Sequence, residues 1–84
     1  MTNESILEEL ENISTKLGLV VRYEKGDFAG GLCRVIDEKY IIVNKKLSAE
    51  KKINLIAREL SKLDIENVFI LPAVKEIILE NSEK

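Results

Sequence analysis

Residues 39–63 read KYIIVNKKLSAEKKINLIARELSKL, and the fold turns on this stretch. Ile41, Ile42 and Val43 follow one another without a polar break. A continuous β-branched run is the pattern of a strand buried on both faces, so this strand is expected at the centre of a sheet. Ser48 then offers an N-cap, and Glu50 sits near the positive end of the following helix dipole. Ile53, Ile56, Ala57, Leu60 and Leu63 recur at helical spacing, which predicts an amphipathic helix over about residues 49–63.

Working outward, residues 19–24 (LVVRYE) are β-branched and aromatic, with Arg22 and Glu24 on one side of a predicted strand. Gly26, Asp27, Gly30 and Gly31 break that strand with a turn or loop. Residues 32–37 (LCRVID) and 39–44 (KYIIVN) form two further strands, joined through Asp37-Glu38 by a tight two-residue hairpin. Upstream, Ile6, Leu10, Ile13 and Leu17 make the stripe of a first helix, capped by Thr2 or Asn3 and stopped at Gly18. Downstream, residues 66–70 (ENVFI) are a short strand or an extended connection. Pro72 suits the first turn of a last helix whose inner face holds Val74, Ile77 and Ile78. The expected fold is one small α+β domain over residues 1–84, in the order α-β-β-β-α-(β)-α. Its three-stranded, mainly antiparallel sheet would pack against the first and second helices, with the last helix covering an end or an edge.

Composition excludes more than it suggests. The 84 residues hold 13 bases, 15 acids, one cysteine and no histidine. Without histidine the chain lacks the commonest general base and transition-metal ligand. One cysteine makes neither an internal disulfide nor a thiolate zinc site. Cys33 also lacks a base to activate it, so it is expected to pack as a small hydrophobe. The formal charge of −2 argues against general nucleic-acid binding. The acidic, amphipathic N-terminus does not read as a secretory leader, and no apolar run is long enough to span a membrane. A cytoplasmic protein without a membrane partner is the expectation.

The charge is unevenly placed. Residues 39–62 carry seven bases against two acids, while residues 1–15 carry four acids and no base. The basic segment is either a solvated helix edge that complements the acidic terminal helices, or an anion site at Lys45, Lys46, Lys51 and Lys52. No aromatic residues interleave these lysines for base stacking, so nucleic acid is the weaker form of the second reading.

Gly30-Gly31, then Ile41-Ile42-Val43-Asn44, then Leu47-Ser48 and the helix through Ala57-Arg58-Glu59-Leu60 resemble the core of the ImmA/IrrE family of zinc metallopeptidases. In that family the helix bears His-Glu-x-x-His. Residues four apart share one helix face, so two imidazoles converge on one zinc while the glutamate activates water. Here the two ligand positions hold Arg58 and Lys62, and Glu59 alone is kept. The resemblance therefore implies a metal-free, cofactor-free, non-catalytic relative.

From these residues we expect an interaction or regulatory module with a protein or peptide partner. Arg58, Glu59 and Lys62 can share a helix face. The two cations would then neutralise Glu59 or receive a partner's carboxylate or C-terminus. Phe28, between glycines, is either folded onto the core or exposed for a partner. Tyr23, Tyr40 and Phe69 read as sheet packing. Homodimerisation through an edge strand or the last helix is a further expectation.

Overall fold

The structure is a computed structural model that describes residues 1–26, 30–35 and 38–82. Three helices and three strands follow in the order α1 (Asn3–Lys16), β1 (Leu19–Glu24), β2 (Gly30–Val35), β3 (Glu38–Asn44), α2 (Ala49–Ser61) and α3 (Pro72–Glu80). Helix ends follow their local chemistry. The Thr2 hydroxyl accepts from the Ser5 N–H at 3.1 Å, and the Ser48 hydroxyl accepts from the Lys51 N–H at 3.3 Å. Gly18 takes a φ of +82° just past α1, a conformation that costs glycine nothing.

The strand order is β1-β3-β2. β2 runs antiparallel to β3, but β1 runs parallel to it, with Leu19 opposite Lys39 and Glu24 opposite Asn44. The mainly antiparallel sheet expected from sequence is therefore corrected to a mixed one. Neighbouring strands in sequence often pair, which favours a meander. Here β1 does not pair with β2; the chain passes β3's place first and returns to fill it. Residues 66–70 form no strand, and the expected extended connection is corrected to one that opens with a turn, where the Val68 N–H donates to the Ile65 carbonyl at 3.2 Å.

One face of the sheet is covered. α1 packs on β1, and α2 packs on β3 and β2. Leu19, Ile41 and Val43 point into this layer and meet Leu10, Ile56 and Leu60 in the core. α3 packs on α2 and α1 rather than on the sheet, burying Val74 and Ile78. It therefore does not cover a sheet edge. β3 is central because both of its edges are paired, not because both faces are buried: Ile42 and Tyr40 are only half-buried. Across from them on the open face stand exposed Val20 and Arg22, with the Arg22 guanidinium 5.7 Å from the Tyr40 ring centre. Phe69 is no part of the sheet packing, being 76% exposed before α3.

Asn44 holds the end of the sheet where these connections gather. Its amide donates to the Gly26 carbonyl at 2.8 Å, and its side-chain oxygen accepts from the Lys46 N–H at 2.9 Å. One buried side chain thus ties the exit of β1 to the turn that leads into α2. The hairpin turn at Asp37, the loop residue Phe28 and the side chain of Cys33 lie outside the described residues.

Gly30 sits at the corner where β2 begins. Its φ is +130°, and a Cβ there would overlap the Ile42 carbonyl oxygen and stand 3.1 Å from Leu55 Cδ1. Replacing it with alanine should lower stability by about 2–3 kcal/mol. The readout is a lower urea midpoint at unchanged slope. An unchanged midpoint would contradict the corner geometry.

Candidate functional site

On α2, residues 51, 54, 55 and 58 recur at intervals of three, one and three, so they form one stripe, with Leu55 partly buried at the border of the core and the others exposed. The stripe is the wall of a groove of about 250 Å³, completed by Leu47 before the helix and Asn81 after α3. Leu47 and Leu55 give it apolar surface, Asn54 and Asn81 add amides, and Lys51 and Arg58 add two cations. The Asn81 side chain is fixed by donating to the Ile77 carbonyl at 3.0 Å. Among the described residues neither Lys51 nor Arg58 has a carboxylate within ion-pair distance. The start of β2 adjoins the groove, because Leu55 is the side chain a Cβ at Gly30 would meet.

The residues singled out on α2 separate. Arg58 lines the groove, but Glu59 does not. The Glu59 side chain is 7% exposed and pairs with Lys62 Nζ at 3.5 Å, across a single helical turn. Lys62 stands at the C-cap of α2, with its side chain half-exposed. Of the two uses foreseen for the cations, Lys62 thus neutralises Glu59, while Arg58 makes no ion pair among the described residues.

The four lysines of the anion alternative divide too. Lys51 lines the groove with Arg58. Lys52 instead places Nζ 5.6 Å from the centre of the Tyr23 ring. The Tyr23 hydroxyl donates to the Glu11 carboxylate. Lys52, Tyr23 and Glu11 thereby stitch α2, β1 and α1 together. Lys45 and Lys46 lie in the exposed turn between β3 and α2. Lys45 donates its backbone N–H to the Glu24 carbonyl at 2.8 Å, which extends the link between β3 and β1.

Burial, with a smaller contribution from the bond to Glu11 and from its charge, holds the Tyr23 phenol well above its ordinary value of 10.0. Among the described residues no three histidine, cysteine, aspartate or glutamate side chains converge as a metal cluster. Nor is any helix among them long and apolar enough to cross a membrane.

Asn54, Leu55, Leu47 and Asn81 were not among the residues picked from sequence. The spacing 51/54/55/58 was visible there, but as the polar side of an ordinary helix. Asn81 lies far along the chain, and only the packing of α3 on α2 brings it to the groove.

Comparison of the chain with protein families, with curated proteins and with solved structures finds no match.

Two predictions test the site's electrostatics. Lys62→Met leaves the Glu59 carboxylate buried without its cation and should cost about 1–2 kcal/mol. The double change Glu59→Leu with Lys62→Met should recover most of that loss. A double-mutant cycle by urea unfolding reads the coupling, and additivity would show the pair to be a plain surface contact. Tyr23 gives the pH dependence. Its folded value is raised, so below pH 10 the phenol is neutral in both states. Above that the unfolded chain loses its proton first, and stability should fall as pH rises. Tyr23→Phe should flatten this alkaline loss, and phenolate absorbance should show Tyr23 ionising only as the protein unfolds.

Proposed function

We propose that this protein is a non-catalytic interaction module of the cytoplasm that binds an extended peptide along the outer edge of β2. Among the described residues β2 pairs with β3 alone, so its other edge presents unpaired backbone groups. Such an edge takes an extended chain as an added strand, with main-chain hydrogen bonds supplying affinity. The observation that carries this reading is the contact of β2 with the groove: Gly30 abuts Leu55, so a peptide on the edge meets side-chain chemistry at one end. Among the described residues β1 also has an edge without a strand partner, but none of the residues that line the groove lies on β1.

The resemblance to the ImmA/IrrE metallopeptidase core supports the same reading. Cations at both zinc-ligand positions would repel a metal, while a cleft built to admit a peptide outlives the loss of hydrolysis. On this view the chain is a relative that kept binding and gave up chemistry. Fold likeness alone carries no function, so the proposal rests on the edge and the groove.

A second reading, an anion or nucleic-acid site on Lys45, Lys46, Lys51 and Lys52, draws on Lys51, which has no ion pair among the described residues. It is the less favoured because Lys52 is turned to Tyr23.

The test is backbone hydrogen exchange with a peptide selected from a displayed random library. Exchange should slow at residues 30–35 on peptide binding, and residues 19–24 should not change. Protection of β1 or of the open sheet face instead would overturn the proposal. A short single-stranded oligonucleotide is the control. Tight binding that collapses between about 50 and 200 mM salt would favour the anion reading.

A further inference from the structure

Among the described residues no carboxylate pairs with the two cations of the groove, and their position relative to β2 gives the peptide a direction. We propose that the groove beside α2 receives the free C-terminal carboxylate of the bound peptide, held by Arg58 and Lys51. This rests on the reading of β2 as a peptide-binding edge.

β2 runs from Gly30, beside the groove, to Val35, away from it. A chain added antiparallel to β2 travels the other way and ends at Gly30. Its C-terminus then arrives over Leu55, with Lys51 and Arg58 one helical turn to either side. A chain added in parallel would bring its N-terminal ammonium to the same two cations, and like charges repel. The electrostatics therefore choose both the antiparallel direction and the acidic end.

The size of the groove fits this use. Cofactor and drug-like sites occupy roughly 300–1,000 Å³, and this groove holds about 250 Å³. A terminal residue needs less room: its side chain rests on Leu47 and Leu55 while its carboxylate meets the cations. The guanidinium of Arg58 can hold both carboxylate oxygens at once, and Lys51 adds a point charge. Asn54 and Asn81 flank the pair with amides, which suit the last peptide group.

Two phage-displayed random libraries separate the outcomes. One ends in a free carboxylate after the random segment; in the other a fixed tail follows, so the carboxylate is carried away. Enrichment from the first alone is the expected result. A synthetic peptide from that pool should then bind at least tenfold more tightly as the free acid than as the C-terminal amide. Lys51→Ala and Arg58→Ala are surface changes, to be checked by circular dichroism. Each should weaken binding of the acid and shrink its advantage over the amide, and Arg58→Lys should restore part of it. Equal enrichment from both libraries, equal binding of acid and amide, or an advantage untouched by both substitutions would overturn the carboxylate site while leaving β2 as a peptide edge. Enrichment from neither library would overturn the peptide reading as well.

Discussion

The pairing of β3 on both of its edges is the constraint on which the rest of this molecule depends. β3 holds the most continuous apolar run of the three strands and takes the centre, where both rows of its backbone groups find partners. The parallel partner β1 and the antiparallel partner β2 follow from that choice. Because β1 ends, β3 ends and β2 begins at one end of the sheet, the connections on that side must share little space. Asn44 resolves the crowding with two hydrogen bonds, one to each connection. Gly30 resolves it with a backbone conformation other residues rarely adopt.

The site is a by-product of this arrangement. α2 leaves β3 through the short turn at that same end, so its outer stripe begins beside the corner of β2. A single layer of helices covers one face of the sheet. α3 packs on α2 and α1, not on the open face of the sheet, and delivers Asn81 to the groove. The two lysine–carboxylate and cation–aromatic contacts of α2 then sort its charges. Lys62 is directed to Glu59 and Lys52 to Tyr23, while Lys51 and Arg58 line the groove with no ion pair among the described residues. A chain whose net charge is nearly zero thereby places two cations side by side on one groove.

That sorting changes the meaning of the missing histidines. In the resemblance proposed for α2, Arg58 and Lys62 would take the places of two metal ligands, and sequence alone treats them as a pair. Four residues apart they do share a helical face, but Lys62 is the C-cap just past the end of that helix and pairs with the buried carboxylate one turn before it. Helical spacing places two side chains near each other. It does not say which of them has a closer partner.

The elements themselves were legible in the chain: the stripe Ile53, Ile56, Ala57 and Leu60, the caps Thr2 and Ser48, the stop at Gly18 and Pro72 at a helix start are local patterns with local causes. So was the central place of residues 39–44, although the expected burial of both faces was not found at Ile42. The direction of β1 against β3, the free edge of β2 and the meeting of Asn81 with α2 were not legible. Each joins segments distant in sequence, and alternating apolar residues serve a parallel or an antiparallel neighbour equally well. Residue types and periodicity determined which segments are helix and strand and which charges the chain owns. Only tertiary packing decided which of those charges stay unpaired, because neutralisation is a matter of distance in space.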